Sequence, residues 1–410
     1  MKCKKITLLC LQNRFLPYNK DKGGVFMLLQ VRFKNFKSFT QETVIDLRPS
    51  KSEILEETNT YQNILKGCCF YGSNASGKTN ALNAMTLLLD LLFKDGFDIR
   101  TLNTIFNYEP TMFLEYTFII DNQTIVYYFE FDRNGRIQKE KLLLDKKEKI
   151  NRLLNSAESF LPEKRAYEKE EMRDNLLLLR AIYFNTQFMN ELILAHWFEF
   201  LKNSMYINSA RDLKRIVFFS NEAAPKISLK DYIEENGVEE LNQFFEEFQF
   251  PYTLMYEKKN VYDTLLPLDS FFNRLKVKRK DLPPVPYYME SFGNFILLNI
   301  LPVILSVTKT GGMLFIDEFS SGLHNKLEEL LVKYIYKHSK NCQLFFVSHS
   351  TNLLKTSLLR PDQVYAVDID ARGSFIYRFS DAKPRESQNL EKMYLSGVFG
   401  GIPLYDSNND

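Results

Sequence analysis

The stretch that most narrows what this chain can become is Gly72 to Thr79, GSNASGKT, which matches the pattern G-x-x-x-x-G-K-[ST] of a phosphate-binding loop. The run before it, LKGCCFY from Leu65 to Tyr71, is apolar and aromatic, and the run after it, NALNAMTLLLDLLF, carries apolar residues at helical spacing. The loop therefore joins a strand to a helix, where free backbone N–H groups and the helix dipole both favour a phosphate. Gly72 and Gly77 let the backbone wrap close to an anion, with Ser73, Asn74, Ala75 and Ser76 between them. Lys78 can reach the β- and γ-phosphates as a point charge, and the Thr79 hydroxyl suits a hard Mg²⁺ ion that keeps most of its waters. The competing reading is a Gly/Ser-rich turn capping a helix, and the strand-loop-helix context disfavours it.

Two later segments supply the chemistry such a loop needs. MLFID is a buried strand that ends at Asp317 and Glu318. At the carboxyl edge of an α/β sheet Asp317 would hold Mg²⁺, and Glu318 would orient and deprotonate an attacking water. QLFFVSHS is another buried strand, and His349 just after it would reach the γ-phosphate as a switch. The plain alternatives are solvated strand-end acids and a structural histidine.

Composition limits the remaining options. With 45% hydrophobic residues in 410 the chain has ample material for a core, and a net charge of +2 implies no global field for nucleic acid. Cys3, Cys10, Cys68, Cys69 and Cys342 show no C-x-x-C spacing and read as reduced thiols in a cytoplasmic protein. His196, His324, His338 and His349 form no zinc-type cluster, and no uninterrupted apolar run has the length of a membrane helix.

Read in order, residues 1–26 are expected to be a non-native or disordered extension. Met27 is then the expected start, because Lys22-Gly23-Gly24 is what a ribosome-binding sequence would encode when translated. Residues 27–150 form an N-terminal lobe: alternating strands in LLQVRFKNFKSF and TVIDL, the P-loop, then an antiparallel layer from Met112–Asp121, Thr124–Asp132 and IQKEKLLLD. Residues 151–250 read as a helical insertion, with helices over PEKRAYEKEEMRDNLLLLRAIYF, MNELILAHWFEFLKNSMYI and LKDYIEENGVEELNQFFEEF and with charged faces in solvent. Residues 251–410 form the C-terminal lobe. Its basic run Arg274–Lys280 is either a solvated edge strand or a phosphate contact. The fold expected is α/β, a mainly parallel sheet with an antiparallel β layer and the helical insertion.

GSNASGKT, LFIDE followed by SSGLH, and FFVSHSTNLL resemble the P-loop, Walker B, D-loop and switch-histidine motifs of ABC-type ATPase heads. The chain is most similar to bacterial AAA-family ATPases of the OLD and abortive-infection kind, related to RecF and SMC heads. LRPDQVYAVD and YLSGVFGGIP are similar to endings seen in these proteins, and the likeness runs from Met27 to Pro403, weakest in the helical insertion. It implies ATP and Mg²⁺ as cofactors and a head-to-head dimer. It also implies a signature loop at ESFGN, where Ser291 and Gly293 would contact ATP held by the second subunit. Phe292 and Asn294 depart from the usual small or polar residues there, and without the likeness ESFGN reads as a helix cap. Gln187 is the candidate Q-loop residue. Asp368-Ile369-Asp370 is read as a hairpin end, since about forty residues follow and a Toprim nuclease domain needs more.

The function implied is an ATPase of bacterial antiphage defence that senses for, or restrains, a separately encoded nuclease or toxin. Two further readings stay open: a RecF-like DNA-repair or DNA-binding clamp using Arg274–Lys280, and a nucleotide-dependent scaffold without turnover.

Overall fold

The computed structural model describes residues 24–102, 109–161, 163–186, 188, 190–208, 216–218, 228–257 and 271–402. Gln187 and the segment 1–23, with Cys3 and Cys10, lie outside the described residues.

A parallel core sheet places the site. Its strands Met205–Asn208, Gly312–Asp317, Cys342–Val347, Gly67–Tyr71 and Val364–Asp370 run side by side in that order, all parallel, with antiparallel Ile216–Phe218 and Gly373–Arg378 at the two edges. The period-two pattern of these strands divides their side chains between two cores. Cys68, Phe70, Phe315, Phe345 and Val367 face one, while Cys69, Tyr71, Leu314, Ile316, Phe346 and Ala366 face the other. Strands buried on both faces read as continuous apolar runs, which is why GCCFY, MLFID and QLFFV stand out in the sequence.

The first core lies between this sheet and an eight-stranded antiparallel sheet. The P-loop helix Lys78–Phe93 fills it, with Leu82, Met85, Leu88, Leu89 and Leu92 among its buried side chains. Helix Leu192–Lys202 packs there as well, and Trp197 meets Phe118 and Tyr127. The second core lies under helices Phe292–Thr310 and Asn325–His338 and a three-stranded sheet. Helix Phe292–Thr310 is apolar enough over its 19 residues to cross a membrane by length and composition, although no run that long was expected. Here 56% of that stretch is buried inside the protein, where it covers the sheet.

The region 151–250 differs most from expectation. Lys147–Leu153, Ser156–Phe160 and Lys164–Glu168 are strands that extend the antiparallel sheet, and the helix expected over 162–184 exists only as Leu178–Thr186. Lys and Glu favour helix locally, but strand partners already in place outweigh that preference, and the charged side chains of KRAYE stay largely exposed. The helix expected to run through SMYI ends at Lys202. Met205–Asn208 then joins the core sheet, so the segment is no separate insertion. The single helix expected over LKDYIEENGVEELNQFFEEF is broken at Gly237, φ 79°, into Leu229–Asn236 and Glu239–Glu247.

The boundary at residue 26 also shifts. The first strand is Phe26–Lys34, Val25 and Phe26 are buried, and the Phe26 N–H donates to Asn341 Oδ1 at 3.1 Å. Gly24 O accepts from Asn341 Nδ2 at 3.0 Å, so the described chain is tied into the fold from Gly24 onward.

Candidate nucleotide site

Gly72 and Gly77 hold φ of 155° and 111°, and at Gly77 a side chain would collide with the Ser374 and Ser38 hydroxyls. Only glycine lets the loop pass there. Ser374 Oγ donates to Ser76 O at 2.6 Å, which fixes the loop from the sheet's antiparallel edge strand. Lys78 opens the helix and its ammonium donates to Gly72 O at 3.0 Å and to Ser73 O at 2.7 Å. Burial pushes its pKa below the ordinary lysine value, and the nearby Glu318 and Asp317 carboxylates oppose that shift. Asn74 and Ala75 form the exposed crest of the loop, with Ala75 in the left-handed region at φ 63°.

The strand order brings the second half of the site to the same edge. Thr79 Oγ1 donates to Asp317 Oδ1 at 3.2 Å, joining the P-loop helix to the end of strand Gly312–Asp317. Burial raises the Asp317 pKa above the usual carboxylate value, opposed by the Thr79 hydrogen bond and reinforced by Glu318. A buried acid beside a hydroxyl is a pair of hard oxygen donors whose charge a divalent cation would restore, and these two groups fit Mg²⁺.

Glu318 turns out of the strand with φ 56°, a left-handed conformation costly for a side-chain-bearing residue. Its Oε2 lies 3.5 Å from His349 Nε2, and both side chains are part-exposed. The His349 N–H donates to Ser320 Oγ at 3.3 Å, so the loop after one strand is pinned to the loop after the next.

Two residues that sequence reasoning missed complete the surroundings of Asp317. Tyr206 OH and Asn208 Nδ2 donate to Asp317 Oδ2 at 3.3 and 3.4 Å from the neighbouring strand Met205–Asn208. The alternation in MYIN, with Met205 and Ile207 buried, was the available signal, masked by the helical run just before it.

Ser291 and Gly293 sit elsewhere. Ser291 is the N-cap of helix Phe292–Thr310, its hydroxyl accepting from the Asn294 N–H at 3.4 Å, and it is exposed. Gly293 packs beside Gly322, where a side chain would strike Ile296 and Phe292, so the ESFGN and SSGLH segments share one patch of surface. Phe292, 64% exposed, stands on it.

The basic run is not an edge strand, and part of it is paired with acids. Leu275–Arg279 is the central strand of the small sheet, flanked by Tyr252–Tyr256 and Val285–Pro286. Lys276 pairs with Glu257 and Arg279 with Glu290, while Lys278 donates to Leu282 O. Arg274, Lys276 and Arg279 thus meet carboxylates within the chain, while Lys280 is exposed.

A P-loop followed in space by Asp317, Glu318 and His349 along one carboxyl edge defines the class, a P-loop ATPase fold of ABC type with a mainly parallel sheet and an antiparallel layer. Residues 68–355 match the AAA_21 family model, described as "AAA domain, putative AbiEii toxin, Type IV TA system", and the chain belongs to that family. Among solved structures it is similar to an SMC head bound to the C-winged helix domain of ScpA, at 16% identity and a TM-score of 0.47, covering 85% of this chain and 96% of that chain. It is also similar to the SMC head domain from Thermotoga maritima, at 14% identity and a TM-score of 0.46, covering 86% and 98%. A third is an Smc head with an extended coiled coil, bound to the C-terminal domain of ScpA derived from Pyrococcus furiosus, at 13% identity and a TM-score of 0.46, covering 86% and 96%. No curated protein matches the chain.

Proposed function

We propose that this protein binds and hydrolyses ATP and works as a two-subunit, nucleotide-dependent regulator of a separately encoded effector in bacterial antiphage defence. The observation that carries the reading is the convergence of Lys78, Thr79, Asp317, Glu318 and His349, joined by the 3.2 Å Thr79–Asp317 and 3.5 Å Glu318–His349 contacts. Lys78 and the backbone of Gly72 to Thr79 bind the phosphates. Thr79 and Asp317 would hold Mg²⁺, which when bound neutralises phosphate charge. Glu318 takes the proton of the attacking water, and His349, in contact with it, orients it toward the γ-phosphate.

Ser291 and Gly293 lie on an exposed helix start and are assigned to the ATP of a second subunit, where a serine hydroxyl and helix N–H groups favour an anion. ATP bridging two chains would stabilise the dimer by binding that state preferentially. The family's own description names a type IV toxin–antitoxin system, which supports a two-gene arrangement; a cytoplasmic location is part of the same proposal. The pairing of Lys276 and Arg279 with acids weighs against the RecF-like reading.

The test is the mass of wild-type and Glu318→Gln protein with and without Mg·ATP, with phosphate release followed in the same samples. Assembly on ATP in both, with turnover in wild type alone, is the expected result. Equal turnover in the variant removes Glu318 from the reaction, and ATP binding without any turnover leaves the scaffold reading.

A further inference from the structure

We propose that the C-terminal segment Asn389–Ile402 is a strap that positions the P-loop and the His349 loop relative to one another, with Glu391 and Asp368 as its positioning residues. The inference rests on the ATP site proposed above and adds a means of coupling its two halves.

The local sequence builds the strap. Asn389 caps the short helix Leu390–Leu395, its side chain accepting from the Lys392 N–H at 2.9 Å. Gly397, at φ 84°, ends that helix. Its own N–H reaches Tyr394 O at 2.9 Å and the Val398 N–H reaches Met393 O at 3.1 Å, the paired bonds of a glycine-terminated helix. Gly400 and Gly401, at φ 69° and 71°, then turn the chain back to the sheet. Aromatic contacts hold it down: Phe399 stacks on Phe379 with ring centres 3.7 Å apart, and Tyr394 stacks on Phe379 from the other end.

Each end grips one loop. Glu391 Oε1 accepts from Thr351 Oγ1 at 2.7 Å, two residues beyond His349. At the far end the Gly401 N–H donates to Asp368 Oδ2 at 2.9 Å. A methyl group on Gly401 would stand 3.3 Å from the Gly72 Cα, so backbone lies on backbone at the first residue of the P-loop.

The middle closes the path. Tyr394 OH donates to Gly401 O at 3.1 Å, Tyr71 OH donates to Ser350 O at 3.0 Å, and the two rings meet edge to face at 5.8 Å. Tyr71 directly precedes Gly72. A displacement of either loop is therefore carried by a continuous chain of packed rings and hydrogen bonds to the other.

The experiment is hydrogen exchange on the full chain, without nucleotide and with Mg·ATP, alongside steady-state ATP turnover. Without nucleotide, Glu391→Ala is expected to raise exchange about tenfold at 351–354 and also at 400–402, the end of the strap it does not touch. Thr351→Val, entering from the partner side, should give the same two-site increase, and Glu391→Gln, which keeps an acceptor, should restore both sites. In turnover, Glu391→Ala lowers kcat with KM for ATP unchanged, while Gly401→Ala raises KM by pressing on Gly72. An increase confined to 351–354, or a failure of Glu391→Gln to restore exchange, overturns the strap. The exchange arm needs no nucleotide, so a wild-type protein that does not hydrolyse ATP sinks the ATPase reading while the coupling is still decided.

Discussion

Arg279 and Glu290 join the end of the basic strand to the residue before the cap of helix Phe292–Thr310, with Nη1 and Nη2 each donating to one carboxylate oxygen at 2.8 Å. The pairing with Arg279 pulls the Glu290 pKa below the usual carboxylate value, and Asn294 Nδ2 adds a third donor at 2.8 Å. A two-point grip fixes orientation as well as distance. An arginine of the basic run thus anchors the residue that directly precedes Ser291.

Arg279→Ala should therefore lower stability by about 1–2 kcal/mol, a figure reduced because the arginine is partly in water. It should weaken ATP-dependent assembly more than ATP binding. Arg279→Lys should recover only part of the loss, since an ammonium cannot reproduce the fork. Denaturant melts and mass measurements with ATP check both, and unchanged assembly in Arg279→Ala would separate the pair from Ser291.

Tyr206→Phe and Asn208→Ala each remove one donor to Asp317 Oδ2. Groups that orient a metal-binding carboxylate contribute roughly 10- to 100-fold in metal affinity. The Mg²⁺ concentration for half-maximal turnover should rise by about 10-fold in each variant, with kcat at saturating Mg²⁺ nearly preserved. A loss that excess Mg²⁺ does not repair would mean that these residues act on the strand and not on the ion.

Glu328 is fully buried in the first turn of helix Asn325–His338, and neither carboxylate oxygen has a hydrogen-bond partner. Burial raises its pKa from 4.5 to about 7. Between those values the folded chain keeps a proton that the unfolded chain has released. Stability from this group is complete below the lower value and is lost as pH rises through the upper one. Glu328→Gln should flatten that decline and be more stable than wild type at pH 8 by up to about 3 kcal/mol. Urea midpoints for both proteins at low and high pH decide it; an equal offset at the two pH values would contradict the assignment.

Glu140 carries the opposite lesson, a buried acid with all its needs met. It accepts from the Leu178 and Leu179 N–H groups at 2.7 and 2.9 Å and from Tyr127 OH at 2.8 Å, with Arg152 at 3.8 Å. Glu140→Ala would strand the Arg152 charge, which is 1% exposed, and uncap helix Leu178–Thr186. A loss of about 3–5 kcal/mol in thermal or denaturant unfolding is expected. A loss below about 1 kcal/mol would show that water reaches the arginine.

The nucleotide half of this protein is legible in one dimension because its determinants are local. GSNASGKT needs only a strand before it and a helix after it, and strands buried on both faces announce themselves as GCCFY, MLFID and QLFFV. Asp317, Glu318 and His349 could be placed at one edge because parallel strands all end on the same side. The hairpin ending at Asp368–Asp370 was legible for a similar reason, with Gly373 marking its turn.

Partner choice was not legible, since it depends on contacts between residues far apart in the chain. Local preference made a helix of KRAYE, whereas the neighbouring strand Ser156–Phe160 made it sheet. Nothing near Tyr206 or Asn208 says that their strand lies beside Asp317, over a hundred positions away. Nor does LKVKR show that its arginine will find Glu290 and not solvent. The chain's residue types determined which chemistry is present, while the tertiary structure decided which carboxylate each cation and hydroxyl would meet, because only folding brings such distant groups within hydrogen-bond reach.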